Sequence, residues 1–419
     1  MSRTQFEAVM GASKRVFVPG ASGEPQGLLD LLSANPALSQ DTTYVQFPIG
    51  GMNRTDFASL HPTARMETFF MSPALRSSFV GGRIDFLPMH MRRVFDHIGT
   101  AEPFDAVLVH AARDDKGVLR HLYNLDFLSA AMSNTRALVV QLNPSVRPPA
   151  GAPELGQRVP DALVEVATLP PELKPAKTDE VAETIGERVA SLVPDGACIQ
   201  TGIGAIPQAI LGALAEHNDL GMHGGLIDDA GLALIQRGVI TGNKKSIDRG
   251  LHITGIAMGT HGLYEALAYE PSICFRPANY THEVGVIAQH DHFISVNSAI
   301  EVDLLGQVSA DMVGGRQLSG TGGSVDFMRG AAASKGGISI VALAATAKAG
   351  EISRIVSEIA PGSATTAART DIDRVVTEFG VAELKGRSLD ARANALIEIA
   401  APSFRDALRD SWRARRSTF

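Results

Sequence analysis

Three observations predict an α/β protein built from two open α/β domains. Short β-branched and apolar runs, such as Arg15–Pro19 (RVFVP) and Ala137–Leu142 (ALVVQL), alternate with stretches of helical period. That alternation is the mark of parallel βαβ units. It breaks once, over Asn143–Pro175, and then restarts. The length of 419 residues suits two to three domains.

In chain order, Arg15–Pro19 predicts a strand, Gly20–Pro25 a turn and Gln26–Leu32 the start of a helix. Thr43–Phe47, Ala106–His110 and Ala137–Leu142 predict three more strands. Asn143–Pro175 is rich in proline and has no helical period. It reads as the linker between a domain of residues 1–175 and one of residues 176–419, with one short strand at Leu163–Val166. A long surface loop inside one domain is the alternative. Asp179–Leu192 predicts a helix with an acidic first turn, which complements the helix dipole. Ala197–Gln200 predicts a strand, Thr201–Pro207 a glycine turn and Gln208–Glu216 a helix. Strands at Ile253–Ala257, Phe293–Val296, Ile338–Ala342 and Arg374–Thr377 and a helix at Leu389–Ala400 complete the second half. Two halves of one pattern suggest a duplication of fold, although no sequence repeat accompanies it.

Composition excludes several classes. Apolar residues make up 45% and charged residues 20% of the chain, which is ordinary for a globular protein with a sizeable core. A net charge of −7 gives no basic footprint for nucleic acid. No apolar run reaches the roughly 18 residues of a membrane span. Two distant cysteines, Cys198 and Cys274, make neither a disulfide scaffold nor a zinc site, so a reducing compartment is expected. The first residues lack an apolar signal region, so the expected location is the cytoplasm.

Two glycine-rich turns point to an anionic ligand. Thr201-Gly202-Ile203-Gly204-Ala205-Ile206-Pro207 stands between a predicted strand and helix, where free backbone N–H groups can receive an anion. Its spacing is neither that of a dinucleotide fingerprint nor that of a P-loop. Ser319-Gly320-Thr321-Gly322-Gly323-Ser324 is a second such turn. Each also reads as a plain tight turn, and two in one half favour an extended ligand across both. Lys335, Thr366 and Arg369 supply polar and cationic groups near predicted strand ends, where solvation is the ordinary fate. His110, His223, His252, His261, His282, His290 and His292 show no metal-ligand spacing. His290 and His292 would point both rings to one face of a strand, with no third ligand, so no metal site is expected.

Between the turns lies Met222-His223-Gly224-Gly225-Leu226-Ile227-Asp228-Asp229-Ala230-Gly231. The segments GACIQTGIGAIPQAI, RGVITGNKKSIDRG, ISVNSAIEVDLLGQVSAD, SGTGGSVDFMRGA, SKGGISIVAL and RTDIDRVVTEFGVAELKGRSLDARANALIEIAAPSF together resemble the acetyl-CoA hydrolase/transferase family, near its 4-hydroxybutyrate and butyrate:acetate CoA-transferases. The resemblance runs over most of the chain and is densest from Gly196 onward. It implies two CoA-transferase-like α/β domains with the active site in the cleft between them. It further implies coenzyme A or an acyl-CoA as substrate rather than a permanently bound cofactor, a carboxylic acid as a possible second substrate, and a homodimer. CoA contacts are expected at Gly202, Ile203, Gly204, Asn279, Glu301, Gly320, Gly322 and Gly323.

The family's reaction runs through a glutamate that attacks the thioester, in a segment of the form His-Ser/Thr-Glu-Leu/Met-x-x-Asp-Gly. Here that segment reads His223-Gly224-Gly225-Leu226-Ile227-Asp228-Asp229-Ala230, so Gly225 occupies the glutamate position. The loop after Ala106–His110 also departs from the family: Ala111–Leu122 keeps only an Asp and a Gly and carries Arg113, Lys116 and Arg120. A changed reaction on a retained ligand is expected. Asp228, Asp229 and His223 are the candidate bases for attack by water, with backbone N–H groups at Gly320 and Gly322 for the oxyanion. Asp228 and Asp229 read equally as a cap for a helix at Ala230–Gln236. Transfer by a displaced carboxylate such as Glu301, and binding of CoA without catalysis, are the other two readings.

Overall fold

Alternate burial along strand Phe104–Arg113 builds the first sheet. Ala106 and Leu108 enter one apolar cluster with Leu28, Tyr44 and Phe57. Val107, Val109 and Ala111 enter another with Phe69, Val94 and Leu138. A strand buried on both faces needs helices on both sides, which parallel crossovers supply. The computed structural model describes residues 3–418. No helix among them is long and apolar enough to cross a membrane.

The chain divides into two units. The first unit holds an eight-stranded sheet in the order Ile84–Phe86, Arg65–Thr68, Thr43–Gln46, Arg15–Phe17, Phe104–Arg113, Thr135–Leu142, Ala162–Glu165. These strands are parallel, and Leu119–His121 hairpins back against Phe104–Arg113. The four strands read from the first half all form. Three strands were not predicted: the hairpin strand Leu119–His121, and RMET at 65–68 and IDF at 84–86, which are short, charged strands at one side of the sheet, where burial is too partial to leave an apolar run.

The Pro-rich segment belongs to the first unit as far as Lys174. Ala162–Glu165 pairs in register with Val139–Leu142, one residue earlier than the predicted strand. Beyond it, the carbonyls of Pro170 and Pro171 accept from His261 and Tyr264, and Leu173 donates to Gly259. The segment is therefore laid down on its own unit through specific bonds. The partition also differs from one cut near residue 175. Gly225–Asp229 and His252–Thr281 return to the first unit.

The second unit comprises Pro175–Gly224, Ala230–Leu251 and the chain from His282. Its six-stranded sheet runs Gly221–Met222, Cys198–Gln200, Phe293–Ser298, Ile338–Ala342, Arg374–Thr377, Gly380–Glu383. All pairings are parallel except the last. Helix Glu180–Ala190 opens on Asp179, whose carboxylate accepts from the Ala182 N–H at 2.8 Å. Helix Ala205–Ala213 begins three residues before the expected start, because Pro207 sits in its first turn, where a missing N–H costs nothing.

Candidate active site

In the second unit, both glycine turns lead into helices, the first directly from the carboxyl end of a parallel strand, where α/β proteins hold ligands, and the second from the short antiparallel strand Arg316–Gln317. Cys198–Gln200 ends at Thr201, and Gly204, at φ +116°, caps helix Ala205–Ala213. That backbone angle is open to glycine and closed to most other residues. A side chain on Gly204 would meet nothing within 4 Å, and Ile203 is 39% exposed, so the turn faces open space. Behind it, Gln200 Oε1 accepts from Ser295 Oγ at 3.1 Å and Asn297 Nδ2 at 3.2 Å, which ties this strand end to its neighbour. The second turn leads into helix Ser324–Ala333, the crossover between Phe293–Ser298 and Ile338–Ala342. Gly320 is buried, while Gly322 (φ +57°) and Gly323 are half-buried.

Glu301 is half-buried in this unit and accepts from the Ala360 N–H at 2.9 Å, so its carboxylate holds a loop. Thr366 is likewise engaged, with Asp311 and the Ala310 N–H. A cavity of about 500 Å³ lies among Glu183, Gln208, Gly212, Ala233 and Arg237, on helix flanks and not on either glycine turn. The chemistry argues for the turns, because a ligand needs polar backbone there and the cavity offers helix sides.

His223 is fully buried in the second unit, and its Nδ1 lies 3.3 Å from His290 Nε2. His290 is also fully buried, and burial lowers its pKa to about 4, helped by Lys245 and opposed by Asp248. The expectation that His290 and His292 share a strand face is wrong. The strand starts at Phe293, and His292, at φ +51°, turns outward and is exposed. The absence of a metal-type cluster in the sequence spacing also does not carry into space. His223, Asp248 and His290 converge, with one ligand atom from each within 4.8 Å of the others.

In the first unit, Leu226–Ile227 pairs with Ile256–Ala257. The carbonyl of Gly225 accepts from the N–H groups of Gly255 (3.1 Å) and Ile256 (2.9 Å). The predicted strand Ile253–Ala257 is two strands, His252–Thr254 and Ile256–Ala257, broken at Gly255. The break has a steric cause. A Cβ on Gly255 would stand 2.1 Å from Asp126 Oδ1 and 3.1 Å from the Gly225 carbonyl. Asp126 is thus a carboxyl beside the Gly225 peptide that sequence reasoning missed, since nothing in Asn124-Leu125-Asp126 marks it. It is 1% exposed, its Oδ1 has no hydrogen-bond partner, and burial raises its pKa well above the carboxylate range.

The two adjacent aspartates differ. Asp229 opens helix Asp229–Gln236 and accepts from Thr260 Oγ1 (2.6 Å) and the Thr260 N–H (3.0 Å). Thr260 in turn caps helix His261–Leu267. Asp228 precedes that pair and is half-buried. Asn279, in the short helix Ala278–Thr281, is exposed. On hairpin Phe104–His121, Asp114 accepts from Lys116 and Val118 N–H groups and from Arg120 Nε, and Arg120 lowers its pKa. Arg113 donates to the Gly117 carbonyl. The loop cations Arg113 and Arg120 therefore brace their own turn.

Residues 259–412 match the model of the acetyl-CoA hydrolase/transferase C-terminal domain. The 4-hydroxybutyrate coenzyme A transferase of Clostridium kluyveri is 34% identical over 96% of this chain and 94% of its own. The chain belongs to the acetyl-CoA hydrolase/transferase family. The butyryl-CoA:acetate CoA-transferase of Anaerostipes caccae is 36% identical over 78% of this chain and 74% of its own. RipA from Yersinia pestis superposes with a TM-score of 0.88, at 30% identity over 98% of this chain and 97% of that one. The protein is therefore an acyl-CoA enzyme of this family, on the α/β fold that the sequence predicts.

Proposed function

We propose that this enzyme cleaves a CoA thioester by attack of water, without a glutamyl anhydride. What supports the reading is Gly225, which the sequence resemblance sets at the family's glutamate position and which has no side chain to attack with. Thioester and water then give a carboxylic acid and CoA. A base takes the water proton and returns it to the CoA thiolate. Asp228 is the base in this reading. Of the three candidates, His223 is buried against His290, while Asp228 and Asp229, three and four residues after Gly225, are both half-buried, and this reading takes the nearer of the two. Coenzyme A engages Gly202–Gly204 and Gly320–Gly323 of the second unit, with a contact at Glu301. Two free cysteines support a cytoplasmic location, and a homodimer completes the reading.

A second reading is favoured by one observation. Asp126 is a carboxyl beside the Gly225 peptide, and on losing its proton it would supply the carboxylate that transfer between carboxylic acids needs. One experiment separates the two. Incubation with an acyl-CoA panel, with and without labelled acetate, should release free CoA without an acceptor. Asp228→Asn should then lower that rate about 100-fold or more. Label appearing as acetyl-CoA, and lost in Asp126→Asn, would replace hydrolysis by transfer. Tight CoA binding with no turnover on the whole panel would refute both.

A further inference from the structure

We propose that His223, Asp248 and His290 form a binding site for one divalent transition-metal ion of the zinc and cobalt class. The site lies wholly in the second unit and holds whichever reaction the enzyme runs. Two imidazole nitrogens and a carboxylate form a borderline donor set that suits such ions and not magnesium or calcium. The spacing fits as well. Two nitrogens bound at about 2.0–2.1 Å on a tetrahedral ion lie about 3.3 Å apart, and His223 Nδ1 and His290 Nε2 are 3.3 Å apart. The Asp248 oxygen is already within 4.8 Å of both.

The backbone that carries each ligand is fixed by hydrogen bonds. The backbone N–H of His223 donates to the Ile199 carbonyl at 3.2 Å. The His290 carbonyl accepts from Ser334 Oγ at 2.5 Å. Asp248 sits in a turn that ends with the Leu251 N–H on the Asp248 carbonyl at 3.0 Å. That turn is anchored by the buried Lys245, whose Nζ donates to the carbonyls of Leu251 (2.7 Å) and Met222 (3.2 Å). Asp248 is the only half-buried member, so it marks the side by which an ion enters. Three protein ligands leave a fourth position for water or substrate. Lys245 opposes the ion's charge and limits its affinity.

The competing account is a hydrogen-bonded pair of core histidines without an ion. To decide, the full-length chain without a histidine tag is stripped by a chelator and titrated with Co²⁺. One cobalt per chain is expected, with the intense visible bands of four-coordinate cobalt, which added Zn²⁺ abolishes. Zn²⁺ should also raise the melting temperature. Asp248→Asn keeps the side chain's shape in an accessible turn, so folding survives. This variant should bind cobalt about tenfold more weakly or worse, and His290→Gln should lose the bands. Cobalt uptake that is absent, or unchanged in Asp248→Asn, overturns the site and leaves the histidine pair.

Discussion

Asp228 and Asp229 are identical in chemistry, adjacent in sequence and both half-buried. Asp229 accepts two bonds from Thr260, and a Cβ on Gly259 would stand 2.2 Å from its Oδ2. Asp229→Ala should therefore cost about 1–3 kcal/mol of stability, read as a lower melting temperature. Asp228→Asn should remove turnover, as the proposed hydrolysis requires. Glu24 gives a pH-dependent case. It is 2% exposed, and burial raises its pKa to about 7 against the Gln46 Nε2 bond at 2.8 Å. The folded state therefore holds a proton that the unfolded chain releases near pH 4.5. Its stabilising effect is complete below that pH and is lost as pH rises through about 7, a penalty of about 3 kcal/mol. Glu24→Gln should raise the melting temperature at pH 8 and change it little at pH 4. Sequence could name Asp228, Asp229 and His223 because they share one stretch. It could not name Asp126, nor join His223 to Asp248 and His290, because these meet only through the fold.

Elements were easier to read than their ends. Ile338–Ala342 and Arg374–Thr377 form over the predicted residues, because both are rich in β-branched residues and are paired on both sides within the six-stranded sheet. Prediction fails where tertiary contact decides, as at Gly255, whose missing side chain makes room for Asp126 and splits a strand. Another glycine sets the seat of the first turn. Helices Glu180–Ala190 and Ala205–Ala213 pack so closely that a Cβ on Gly186 would stand 2.8 Å from the Ala209 backbone. Backbone cannot move aside as a side chain can, so Gly186→Ala should cost about 1–3 kcal/mol. Helix Ala205–Ala213 carries Gly204 at its start, so the same variant should also raise the Kd for CoA, measured by calorimetry.

For the whole molecule, buried neutral histidines set the acid limit. Burial lowers His110 and His121 in the first unit to about 4, and His282 in the second to about 3. Each folded pKa lies below its unfolded value near 6.5, so the unfolded chain binds more protons. Stability from these groups is present above pH 6.5 and is lost as pH falls towards about 4. Acid titration followed by near-UV circular dichroism should show both units losing structure in that window, and a midpoint below pH 3 would contradict it. The two-unit α/β plan was legible from alternation alone. The path of the chain was not, since Gly225–Asp229 and His252–Thr281 carry no sign of the sheet they rejoin. That path bears on how the protein is made. The first unit stays incomplete when Lys174 leaves the ribosome, because the Ala257 carbonyl that receives the Ser22 hydroxyl and the Ala278 N–H that donates to the Asp126 carbonyl are still to come. At about 5–20 residues per second, the nascent chain waits roughly 5–20 s for Thr281, with its amino-terminal sheet exposed to chaperones while most of the second unit is still unmade.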